Sequence, residues 1–116
     1  MRITAPRGDV VPGRDWEFSW SDVHSKDGPL VNFWLTHYAH PPAGIHPRLL
    51  NEHPVDCNKH HTYEVQGSVD LTCGNGYRIW AMKVGETPEK EADPIAESED
   101  FNVRCKADIF ASDLSM

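Results

Sequence analysis

The chain has 116 residues, 39% of them hydrophobic and 25% charged, and a net charge of −7, with a mean hydropathy of −0.56. That length suits one β domain spanning residues 1–116, able to bury a core without depending on disulfides or a structural metal. The acidic balance excludes nucleic acid and anionic membrane surfaces as expected partners, because both select a basic footprint. No apolar run approaches the ~18 residues of a spanning helix, and the N-terminal stretch lacks the apolar centre of a signal peptide, so the expected address is cytoplasmic.

Residues 1–14 carry Arg2, Arg7 and Arg14 with Pro6 and Pro12, the composition of an extended N-terminal arm that can add an edge strand. Trp16, Phe18 and Trp20 alternate with Glu17, Ser19 and Ser21, which predicts a strand with an aromatic face. Ser25 to Pro29 reads as a reversal, and Leu30 to Tyr38 is apolar on both faces, as expected of a central strand. These two strands are expected to form a first hairpin. Residues 39–60 have neither helical nor strand periodicity and contain Pro41, Pro42, Pro47 and Pro54. A loop of this length is uncommon in a compact domain and is usually functional. One helical turn is expected over Pro47 to Glu52.

From Tyr63 to Cys73 the odd positions Tyr63, Val65, Gly67, Val69, Leu71 and Cys73 alternate with polar residues. Such period-two alternation predicts one long half-buried strand. Cys73 to Gly76 then supplies a tight turn and Tyr77 to Val84 a returning strand, a central hairpin. Residues 85–100 hold seven carboxylates against Lys90, which predicts a solvated acidic loop. Phe101 to Ala111 alternates again as a last strand, and residues 113–116 read as a frayed tail. The three cysteines, Cys57, Cys73 and Cys105, are odd in number and form no C-x-x-C pair. Cys73 and Cys105 are therefore expected as reduced thiols packed as small hydrophobes. The fold class that follows is all-β: a small antiparallel β-barrel or two-sheet sandwich of about six to eight strands, with the barrel favoured.

Six of the seven histidines fall between His37 and His61, in a stretch that also contains Glu52, Asp56 and Cys57. Imidazole and thiolate are ligands for zinc, iron and nickel when three or four converge from elements the fold holds in place. His46, His53, Cys57, His60 and His61 are the candidate metal ligands, and a divalent transition metal is the cofactor they would take. The alternative is a loop whose polar rings hydrogen-bond its own irregular backbone. Cys57 with His60 or His61 would also make a nucleophile pair if the imidazole lowered the thiol pKa. Glu64 and Asp70, on the polar row, are expected to face solvent.

VNFWLTHY, PPAGIHPR and YEVQGSVDLTCGNGYRI together resemble the first half of a small cupin barrel, over residues of about 30–80. In that family the first motif has two histidines separated by one residue, then a glutamate and a glycine, and the second motif adds a further histidine. Gly67 matches the motif glycine. Counting back from it puts His60 at the glutamate, His53 at the first histidine and Val55 at the second; alternatively His46 is the first, with Arg48 at the second. No histidine follows His61 and residues 86–100 lack the second motif's Pro-x-Gly. The resemblance implies a cupin-like barrel whose usual metal site is degenerate or rebuilt.

Four tryptophans lie on expected strands. Trp34, Tyr63, Tyr77 and Trp80 are the candidate ligand-binding residues, forming an aromatic platform if they line one mouth. The functional expectation is a small β-barrel that binds a small molecule or a protein partner, with the histidine loop at the pocket rim. One alternative is a metal-dependent cupin-type enzyme. The other is an interaction protein that docks a basic partner through the acidic loop or pairs edge strands into a homodimer.

Overall fold

The computed structural model describes residues 1–6, 8–24, 30–37, 47–69, 71, 73–88 and 93–104. The expected reversal at Ser25 to Pro29, the first part of the histidine loop with His46, Asp70, Cys105 and the chain beyond it lie outside these residues. The described chain forms nine strands: β1 Arg2–Thr4, β2 Trp16–Ser21, β3 Leu30–His37, β4 Arg48–Leu49, β5 Val55–Asp56, β6 Thr62–Val65, β7 Gly74–Lys83, β8 Ala96–Glu97 and β9 Phe101–Val103. Among the described residues there is no helix. The strands make two antiparallel sheets. One runs β1-β2-β6, and the other runs β4-β3-β7-β8 with β5 also on β3 and β9 also on β7. Neither strand order returns on itself, so the sheets are not closed into a barrel.

Alternation explains which face each strand buries. Trp16, Phe18 and Trp20 point inward from β2 and are at most 7% exposed, while Val31 and Phe33 of β3 and Ile79 and Ala81 of β7 are fully buried. The sheets meet through aromatic rings. Phe18 and Phe33 stand nearly edge to face at 4.9 Å, Trp20 lies 4.8 Å from Phe33, and Trp16 lies 5.7 Å from Phe101. Each such pair adds about 0.5–1.5 kcal/mol beyond the area it buries. β3 is central, as its two apolar faces require: β7 pairs along one side from Val31↔Lys83 to His37↔Tyr77, and β4 and β5 pair on the other.

Both expected hairpins are absent. β2 pairs with β1 and β6, so β2 and β3 belong to different sheets. β6 and β7, expected as the central hairpin, are likewise divided between the sheets. Tyr63 and Val65 keep the predicted inward alternation, but the strand stops at Val65. There Val69 N–H donates to Gln66 O at 3.0 Å, Gly67 N–H donates to Asp15 Oδ1 at 2.6 Å, and the chain turns away. At Gly67 the backbone passes so close that a Cβ would stand 2.6 Å from Gly13 O, a contact only glycine permits. Gly74 to Gly76, expected as a turn, instead begins β7. The register slips between Gly74↔Val103 and Tyr77↔Phe101, and Gly76 at φ 81° supplies the left-handed residue of that bulge.

Two stretches read as loops carry short strands. Arg48–Leu49 pairs with β3 where a helical turn was expected, and Ala96–Glu97 pairs with β7 inside the acidic segment. Asn51, 1% exposed, ties the first of these down. Its Oδ1 accepts Phe33 N–H at 2.7 Å, and its Nδ2 donates to His53 O at 2.8 Å and to Asn32 Oδ1 at 3.2 Å. Ser98 does the same for β8: its N–H donates to Ile79 O at 2.9 Å, and its Oγ accepts Ile79 N–H at 2.9 Å. The N-terminal arm is the edge strand anticipated, since β1 pairs with β2 from Arg2↔Ser21 to Thr4↔Ser19. The arm then crosses to the second sheet, where Val10, 1% exposed, bridges in parallel to Val103.

Candidate functional site

Of the histidine-loop candidates, His53, Cys57, His60 and His61 are among the described residues, and these four do not point together. Cys57 is fully buried and in no disulfide, its Sγ 3.8 Å from Val55 O, and its carbonyl accepts Trp20 Nε1–H at 3.3 Å. His53, His60 and His61 are all exposed. A tight turn separates thiol from imidazoles: Asp56 O accepts Lys59 N–H at 3.1 Å and His60 N–H at 3.0 Å, while Asp56 Oδ1 caps Asn58 N–H at 3.0 Å. Proximity in sequence is undone by this reversal, which sends Cys57 into the core and His60 to the surface. Among the described residues no three His, Cys, Asp or Glu side chains are grouped as metal ligands.

The four aromatic candidates divide between layers and faces. Tyr63 sits 6.0 Å from Phe18 on the first sheet's inner face. Tyr77 faces the same core from the second sheet, 6.3 Å from Phe101, and burial raises its hydroxyl pKa above the ordinary tyrosine value. Trp34 and Trp80 are opposite each other on β3 and β7, one residue out of phase with the inward Phe33 and Ala81, so they occupy that sheet's other face. None of the four lines either of the two cavities described next.

The first cavity is a cleft of about 380 Å³ between the N-terminal arm and β2, with Asp9, Asp15, Trp16, Glu17 and Phe18 in its lining. It arises because β1 leaves the edge of β2 after Thr4↔Ser19, while β2 continues back to Trp16. Among the described residues, every ionisable side chain in its lining is a carboxylate. Asp9 is paired with Arg104 at 3.0 Å, and Asp15 holds Gly67 N–H. Glu17 is opposite Glu64 on β6, both exposed, a like-charge cross-strand pair that repels. Glu64 is thus on the solvent face, as its place in the polar row predicted.

The second cavity, about 480 Å³, is bordered by Asp9, Cys73, Asn75, Phe101 and Arg104 at the end of β7. Cys73 is disulfide-bonded and exposed, which corrects the expected reduced and packed thiol. The alternation that placed it inward ends at Val65, so its side chain no longer follows that row. His37 Nε2 meets Asn75 O at 2.6 Å, and its ring packs 4.6 Å from Tyr77. On the neighbouring edge Arg78 binds Asp100 and, at 2.6 Å, Glu97. These hydrogen bonds hold its guanidinium pKa above the ordinary range, Asp100 contributing most.

Sequence patterning missed the cleft because Asp9 and Asp15 lie in a stretch with no periodicity, and nothing in Glu17's alternation shows that the arm crosses above it. The one available signal is three carboxylates within nine residues around a tryptophan. Comparison with protein-family models, with curated proteins and with solved structures found no match to this chain.

Proposed function

We propose that the protein is a binding module that takes a small organic cation, an amine or quaternary ammonium, in the cleft between the N-terminal arm and β2. The observation that carries this reading is the lining: Asp9, Asp15 and Glu17, with no basic side chain among the described residues, beside Trp16 and Phe18. Carboxylates attract a cation. The repulsion between Glu17 and Glu64 is relieved when a positive charge arrives, so binding gains what the empty cleft forgoes.

The rival proposals have less support. A metal-dependent cupin-type enzyme draws on the likeness over residues 30–80 and on His46, but the sheets do not close into the barrel that family uses. Docking of a basic partner through residues 85–100 must compete with Arg78, which already engages Glu97 and Asp100. For compartment, no helix among the described residues is long and apolar enough to cross a membrane. The disulfide at Cys73 favours an oxidising compartment over the expected cytoplasmic one.

The test is a thermal-shift titration with choline, putrescine and arginine against glucose and trehalose as uncharged controls. A cation at a hundredfold its dissociation constant should add about 2.7 kcal/mol, several degrees in a domain of this size. Glu17→Gln should weaken that ligand about tenfold, and added salt should weaken it too. A shift with the sugars alone, or a cation response unchanged by Glu17→Gln, overturns the proposal.

A further inference from the structure

We propose that Asn75-Gly76 is a site of spontaneous covalent modification, at which the folded protein loses the Asn75 side-chain amide as ammonia. It is the chain's single Asn-Gly pair, and three features of the fold favour the reaction there. Asn75 is exposed on the wall of the cavity beside Cys73, and the residue after it has no side chain to crowd the attacking nitrogen. Asn75 and Gly76 also fall in the gap of the β7 register. Pairing with β9 jumps from Gly74 to Tyr77, and pairing with β3 reaches only to Tyr77. Neither residue is held opposite a partner in those ladders, so turning the Asn75 side chain toward Gly76 N breaks no ladder pairing.

The third feature is His37. Its Nε2 lies 2.6 Å from Asn75 O, and a carbonyl oxygen only accepts, so Nε2 carries the proton. Donation to that oxygen withdraws electron density from the Asn75-Gly76 peptide and makes the Gly76 N–H more acidic. Packing of the His37 ring against Tyr77 holds the donor in place.

In the reaction, Gly76 N gives up its proton and attacks Asn75 Cγ. The N–Cγ bond forms, the Cγ–Nδ2 bond breaks, and the departing nitrogen takes the proton and leaves as ammonia. The cyclic imide then adds water at one of its two carbonyls. Opening at one gives aspartate, and opening at the other gives isoaspartate, whose main chain runs through Cβ. Either product adds a carboxylate to the cavity that Asp9 and Arg104 border. Isoaspartate also lengthens the backbone at the bulge, two residues from the disulfide-bonded Cys73.

The experiment incubates the folded protein beside the same protein unfolded in guanidinium chloride, at one pH and temperature. Amide loss is followed by intact mass, isoaspartate by enzymatic methylation, and the position by peptide mapping. Conversion at Asn75 should be at least as fast folded as unfolded. His37→Phe should slow the folded protein about three- to tenfold and leave the unfolded chain unchanged. His37→Gln, whose amide can still donate, should retain most of the rate and serves if His37→Phe does not fold. Slower conversion in the folded protein than in the unfolded chain overturns the proposal, as does an equal effect of His37 replacement in both states.

Discussion

Replacing Asn51 by Ala strands the Phe33 N–H that its Oδ1 accepts at 2.7 Å, in the strand on which the second sheet is built. A buried donor left without a partner costs about 1–3 kcal/mol, and the amide's own bonds to His53 O and Asn32 Oδ1 are lost with it. We expect Asn51→Ala to lower the unfolding free energy by about 2–4 kcal/mol, read as a reduced denaturant midpoint with an unchanged m-value. Tyr77 makes a different prediction, about alkaline pH. Burial raises its folded pKa, so the neutral ring stabilises the native state fully below the unfolded value of about 10. As pH rises past that value the unfolded chain ionises first and stability falls. Tyr77→Phe should flatten this alkaline loss, with tyrosine absorbance during denaturation as the readout.

At the scale of elements, alternation reports the face a strand buries but is blind to its partner. The inward row of Trp16, Phe18 and Trp20 was legible, whereas β3 is apolar on both faces and β7 was legible only as a strand, so the inward rows of Phe33 and of Ile79 were not. The division of strands between two sheets was not, because a period of two is satisfied equally by a hairpin and by pairing across the sequence. Past Val65 the pattern even continues through Val69 and Leu71, although the chain has left the ladder. What ends β6 is the hydrogen bond from Gly67 to Asp15, and no window around Gly67 contains Asp15. The arrangement of the described histidine-loop candidates was hidden for a similar reason: histidine clustering is a fact of composition, and the Asp56 turn decides direction. The end of β7 is joined to its surroundings by the Cys73 disulfide, the Asp9–Arg104 pair and the Val10 bridge. Reduction should cost about 2–4 kcal/mol. In a melt with and without dithiothreitol, Cys73→Ser should behave like the reduced protein and show no further response to reductant.

For the whole molecule, charge and topology run on separate lines. The carboxylates of the arm, β2 and the edge of β7 gather in small groups, some paired with Arg78 and Arg104, while the core between the sheets is aromatic and aliphatic. The proposed cation site and the modification site thus share Asp9, which borders both cavities. The long reach of the β3–β7 pairing also governs how the protein is made. β3 pairs first with the two-residue strands β4 and β5 and meets its long partner β7 only after the chain has run on from His37 to Tyr77, while β2, already beside β1, must await β6. During synthesis the aromatic rows of both strands emerge before these later partners exist, so the nascent chain passes through a state that invites chaperones or aggregation. A protein whose termini were relocated so that β7 preceded β3 by a short connection should refold faster without being more stable.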